Sequence, residues 1–139
     1  SKYFTSILEV NEKEHWVRLQ PGVIRNDLNA FLKSYNLFFG PETATQTRAM
    51  VGGMVGNNSC GSNSIVYGST REHVLEVKGL LGNGEEVVFK ADGLPQGNIT
   101  ERLLNILSNT RNQGLIRENF PKTSIPRRNT GYALDILLD

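Results

Sequence analysis

The 139 residues predict an α+β fold: a mixed, mostly antiparallel sheet with flanking helices. Three observations carry this. Two pairs of β-rich segments sit beside each other across short polar turns, as hairpins do. Amphipathic helical segments are interspersed with them, without a regular βαβα alternation. Neither GxGxxG nor the Gly-Lys-Ser/Thr ending of a P-loop occurs, which removes the usual marks of a parallel nucleotide-binding sheet.

The elements follow in order. Residues 6–10 (SILEV) and 15–19 (HWVRL) are strand-like and flank the polar NEKE, so they predict a hairpin with Trp16 as a packing residue. Pro21-Gly22 breaks the second strand. Ile24, Leu28, Phe31, Leu32 and Tyr35 recur at three and four residues, which predicts a helix over 24–35, with Asp27 at the positive end of its dipole. Pro41 marks the chain's departure from that helix. Residues 50–68 are glycine-rich. Residues 74–81 (VLEVKGLL) and 85–90 (EEVVFK) predict a second hairpin around Asn83-Gly84. Residues 92–97 read as loop. Asn98 and Glu101 have the spacing of a capping box, and Leu103, Leu104, Ile106, Leu107 and Ile116 continue a helix beyond it. Residues 118–131 form a basic loop.

Composition bounds the function. The hydrophobic share is 38% and the charged share 21%, as in a folded globular chain, and one domain over residues 1–139 is expected. Lys plus Arg number 15 against 14 Asp plus Glu, so a net charge of +1 gives no reason to expect nucleic acid as a partner. No apolar run approaches the roughly 20 residues of a membrane helix. Cys60 is the only cysteine; it excludes an intramolecular disulfide and a cysteine-based zinc site, and fits a reducing cytoplasm. It reads as an inert thiol. His15, in a strand, and His73, at the start of a helix or turn, read as surface or packing residues, so no metal site and no catalytic residue are assigned. Arg127-Arg128 reads as a solvated loop pair.

The stretch MVGGMVGNNSCGSNSIVYGSTREHV, residues 50–74, is the informative one. Consecutive glycines let main-chain N–H groups converge on a phosphate, and Asn57, Asn58, Ser59, Ser62 and Ser64 add neutral donors and acceptors. A long surface loop that merely needs turn residues explains the glycines equally well.

The segments VRLQPGV (17–23), GPETAT (40–45), MVGGMVGNNSCG (50–61), YGSTREHVLEV (67–77) and LLGNGEEV (80–87) together resemble, in order and spacing, the FAD-linked oxidases and dehydrogenases of the vanillyl-alcohol oxidase superfamily, glycolate oxidase and D-lactate dehydrogenase branch. IRENFPKTSIPRRNTGYALDILL (116–138) is similar to large bacterial members that carry an iron–sulfur half. The resemblance implies the second α+β subdomain of a PCMH-type FAD-binding domain in an enzyme oxidising a small 2-hydroxy acid. It further implies that Pro21, Gly22, Val23, Pro41, Glu42, Thr45, Gly52, Gly53, Asn57, Asn58, Ser59, Gly61, Ser62, Tyr67 and Gly68 line FAD. Two stretches depart from the family pattern: Glu42-Thr43-Ala44-Thr45 stands where Asp-Pro-Ser-Ser is common, and Met50-Val51-Gly52-Gly53 where Thr-Ile-Gly-Gly is common.

The family's Arg-Gly-x-Gly-Thr-Ser diphosphate loop, its Gly-Ser-Glu-Gly-Thr-Leu-Gly stretch, its substrate domain and any cysteine cluster do not occur in these residues. The chain is therefore expected to be a piece of a larger oxidoreductase, cytoplasmic or peripheral to a membrane, able to self-associate, and without turnover by itself. Its expected partners are the missing FAD subdomain, an iron–sulfur half and, through the missing domain, the acid. The alternatives are a cell-wall precursor reductase or molybdenum hydroxylase flavin subunit of the same fold, or a stand-alone module for a phosphate ligand or a protein.

Overall fold

The computed structural model describes residues 2–90, 93–125 and 133–138. Asp92 and the end of the basic loop, residues 126–131 with Arg127 and Arg128, lie outside the described residues. The chain divides into two compact units, Ser1–His73 and Val74–Asp139.

In the first unit, β1 (Ile7–Asn11) pairs antiparallel with β2 (Trp16–Leu19). The Asn11 side chain makes the turn, its Oδ1 accepting from the N–H groups of Lys13 and Glu14 at 3.1 Å each. His15 sits in this turn at φ 57°, not in the strand, so the second strand begins one residue later than its sequence suggests. A bulge between Ile7 and Glu9 has a consequence for packing. Ile7 and Val10 would point to opposite faces of a regular strand; the extra residue puts both against the core, with Val17 and Leu19, while Leu8 stays exposed.

Helix α1 (Arg25–Leu32) and a short 3-10 turn, Lys33–Tyr35, occupy the predicted helical segment. Its stop is Asn36 rather than Pro41: Asn36 takes the left-handed conformation at φ 52°, and the N–H groups of Leu37 and Asn36 donate to the carbonyls of Leu32 and Lys33. Leu28 and Leu32 are buried with Val23 and Val51, whereas Phe31 stays exposed and meets the Tyr35 ring at 5.6 Å. The glycine-rich segment is not a loop throughout: it forms α2 (Val51–Gly56) and α3 (Ser64–Tyr67), followed by a 3-10 turn, Thr70–His73.

In the second unit, β3 (Glu76–Leu80) and β4 (Glu86–Lys90) form the other antiparallel hairpin. Its turn is a three-residue loop with Gly84 alone at positive φ (83°), closed by bonds between Leu81 and both Gly84 and Glu85. Helices α4 (Asn98–Ser108) and α5 (Thr110–Asn119) replace the single helix expected there. Asn109 causes the break. It is extended at φ −71°, ψ 119°, and its side chain accepts from the N–H groups of Arg111 and Asn112. The capping box at Asn98 does not form either; Gly97, at φ 141°, is the residue before the first turn, and no side chain caps it. Among the described residues the strands thus form two separate two-stranded sheets, both antiparallel, within the α+β class.

Candidate functional site

The five motifs of the sequence are separated along the chain, and the first unit gathers four of them, residues 17–23, 40–45, 50–61 and the start of 67–77, through main-chain bonds. Val51 N–H donates to the Val23 carbonyl and Gly52 N–H to that of Pro21, both at 2.9 Å. Arg25 N–H donates to Ala49 O at 2.9 Å, completing a bridge between Ile24 and Met50. The Ser62 hydroxyl donates to Glu42 Oε1 at 2.7 Å. Thr70, fully buried, donates from both N–H and Oγ1 to the Ser59 carbonyl, at 2.9 and 2.7 Å. Tyr67 lies over Gly40 and meets the Phe38 ring edge-on at 5.3 Å.

The glycines answer to two different requirements, distinguished by what a Cβ would meet. At Gly52 it would stand 2.5 Å from Pro21 Cβ, at Gly61 2.2 Å from Glu42 Cγ, and at Gly40 2.9 Å from the Tyr67 ring. These three allow the chain to approach itself. Gly68 is required for its backbone, φ 68° and ψ −154°, and the Glu72 carboxylate fills the space beside it while accepting from Ser69 N–H at 2.7 Å. Gly53 and Gly56 differ: a Cβ at either would meet nothing within 4 Å. Both are exposed, as is Asn57, and all three lie at i, i+3 and i+4 on the outer side of α2. No packing reason keeps a side chain off either glycine. A strip of bare main chain is what a flat or extended ligand needs to reach the backbone closely, so the residues present fit a flavin dinucleotide.

The other predicted residues differ in their exposure. Gly22, Val23, Pro41, Asn58 and Ser59 are buried. Asn58 stops α2 in the left-handed conformation at φ 45°, with Ser59 N–H donating to Met54 O and its own N–H to Val55 O, and its Oδ1 accepts from Arg71 N–H at 2.9 Å. Pro21, Thr45, Ser62 and Tyr67 are exposed, and Glu42, Gly61 and Gly68 half-buried. The Ser64 hydroxyl, next to this surface in sequence, is buried without a hydrogen-bond partner. Cys60 is half-buried. His73 Nε2 lies 2.6 Å from the Tyr67 carbonyl, to which it donates. No group of three or more His, Cys, Asp or Glu that could hold a metal occurs among the described residues.

Two residues that the sequence did not single out are central to the geometry. Arg25 donates from Nε to Pro41 O at 3.1 Å and from a terminal nitrogen to Gln46 Oε1 at 2.9 Å. Asn29, one turn on, pairs with both the N–H and the carbonyl of Phe39, at 2.7 and 3.2 Å. An Arg and an Asn at i, i+4 on a helix carry no signature without knowledge of the loop they face.

Residues 1–90 match the family model of the FAD binding domain, and the chain belongs to that family. The family's cofactor is FAD, as the resemblance implied. Among curated proteins, the chain is 40% identical over 143 residues to a D-2-hydroxyglutarate dehydrogenase of Escherichia coli, covering 96% of this chain and 14% of that protein. It is 39% identical over 150 residues to the protein of the same name from Pseudomonas putida, with 100% of this chain and 14% of that one covered. A glycolate oxidase subunit GlcD of Bacillus subtilis is 33% identical over 84 residues, 60% of this chain and 18% of its own length. The chain thus spans a small part of the length of the relatives it matches.

Proposed function

We propose that this chain forms one wall of the FAD site in a flavin-dependent oxidoreductase acting on a 2-hydroxy acid. One observation carries the reading: α2 presents Gly53 and Gly56 as exposed main chain that no intramolecular contact requires to be bare, with the exposed Asn57 beside them. Gly61 and Ser62, held on Glu42, and Tyr67 with Gly68 supply further edges of that surface. The first two N–H groups of α2 are engaged by Val23 and Pro21, so a diphosphate would meet the side of the helix and the Asn57 amide rather than its end. When bound, FAD accepts the two electrons released as the hydroxyl-bearing carbon of the acid becomes a ketone. The chain's own residues bind and orient; the substrate's acid–base groups belong to other parts of the protein, and the 139 residues alone have no turnover.

The relatives' names make D-2-hydroxyglutarate the first acid to test. Among the described residues no helix is long and apolar enough to cross a membrane. The test is a flavin-fluorescence titration of the full-length gene product beside the 139-residue chain. The full-length protein is expected to retain FAD and to bleach on anaerobic addition of D-2-hydroxyglutarate, and the isolated chain to bind FAD at least about tenfold more weakly, because part of the contact surface is lost. A full-length protein that neither contains nor takes up FAD contradicts the proposal.

A further inference from the structure

We infer that Arg25 and Asn29 are positioning residues for the FAD-binding surface: from α1 they clamp residues 39–42, the stretch on which the Gly61–Ser62 turn rests. The inference depends on the proposed FAD site and adds to it the residues that fix its shape.

The geometry runs through consecutive contacts. Arg25, half-buried at the start of α1, distributes its guanidinium over the carbonyls of Pro41 (3.1 Å) and Phe39 (3.4 Å) and the side-chain oxygens of Gln46 (2.9 Å) and Asn26 (3.3 Å). All four are neutral acceptors. A cation at a helix start opposes the helix dipole, so helix stability does not account for it. Asn29 treats Phe39 as a neighbouring strand would, giving a donor and an acceptor to its main chain. Residues 39–42 are therefore held as irregular chain by the Arg25 and Asn29 side chains through four hydrogen bonds to three main-chain atoms, Phe39 N–H, Phe39 O and Pro41 O, with a fifth bond from Arg25 to Gln46 beyond them. Pro41 is fully buried. Its neighbour Glu42 presents its carbonyl and Cγ to Gly61 and its carboxylate to Ser62. A shift of Pro41 must move Glu42, and with it the turn that leads from α2 to α3. Only the planar fork of Arg reaches these acceptors at once; Lys keeps the charge but offers a single nitrogen.

The experiment uses the full-length protein and two readouts, the FAD dissociation constant from flavin-fluorescence quenching and the melting midpoint of the apoprotein. Arg25→Lys and Asn29→Ala are each expected to weaken FAD binding by about tenfold or more, the effect of loosening a surface that must be preorganised. Arg18→Lys, at an exposed ion pair with Glu9 on the hairpin, serves as control and is expected to leave both readouts unchanged. Because Arg25→Ala risks the fold itself, the conservative Arg25→Lys carries the test. Affinity that falls while the apoprotein midpoint stays within a few degrees of wild type supports positioning. Affinity within twofold of wild type, or a loss that only accompanies an unfolded apoprotein, overturns it. A wild type that binds no FAD refutes the proposed function instead, so the two failures are distinguishable.

Discussion

At the scale of single residues, one amino-acid type performs separable tasks in the glycine-rich segment, and each makes its own prediction. Gly68 occupies a backbone region that side chains avoid, with the Glu72 carboxylate filling the adjacent space. Gly68→Ala is therefore expected to lower the urea-unfolding free energy by about 1–3 kcal/mol. Asn58 is also left-handed, but as a helix stop; Asn58→Ala is expected to cost about 1–2 kcal/mol, and Asn58→Gly, which keeps the backbone free but loses the bond to Arg71, less. Comparable unfolding curves for the two Asn58 variants would show that the left-handed stop is not what that position supplies. The sequence announced that glycine and asparagine matter between residues 50 and 68. It could not divide them, because whether a Cβ would strike Pro21, strike Glu42 or meet open space depends on chain segments up to 31 residues away, the separation between Pro21 and Gly52.

At the scale of elements, local patterns were read where the signal is local. Both hairpins and α1 follow directly from alternation, helical spacing and turn residues. Three features were not legible. The bulge in β1 shows only when Ile7 and Val10 are seen to share a core with Val17 and Leu19. Helix α2 is hidden because glycine has poor helix propensity, yet burial of Val51 and Met54 and the bonds to Pro21 and Val23 override it. The division of α4 from α5 rests on Asn109, whose capping bonds compete with continuing the helix. Asn109→Ala is expected to destabilise α5 by about 1 kcal/mol, seen as faster amide exchange at Arg111 and Asn112. Unchanged exchange there would mean that the cap does not hold the start of α5.

At the scale of the whole chain, the two units differ in how much apolar surface they bury. The first holds Val23, Leu28, Leu32, Val51 and Met54 in its interior; among the described residues of the second only Leu107 and Ile116 are comparably buried. Two-stranded hairpins are marginal without a packed face. Hydrogen exchange is therefore expected to show lower protection in β3 and β4 than in α1, and Leu28→Ala, at a fully buried site, to cost the first unit about 2–5 kcal/mol. Equal protection across the units would contradict this reading of the core. The family is legible in five dispersed motifs, and the first unit brings four of them together through main-chain bonds.

The central claim is that Gly53 is bare for the cofactor's sake. Its most direct measurement is Gly53→Ala in the full-length protein, read for both apoprotein stability and FAD affinity. With nothing near the new Cβ, the helix should gain about 0.5–1 kcal/mol. The account expects that gain together with a clear loss of FAD affinity; a variant that is stabilised and binds FAD as tightly as wild type would contradict it.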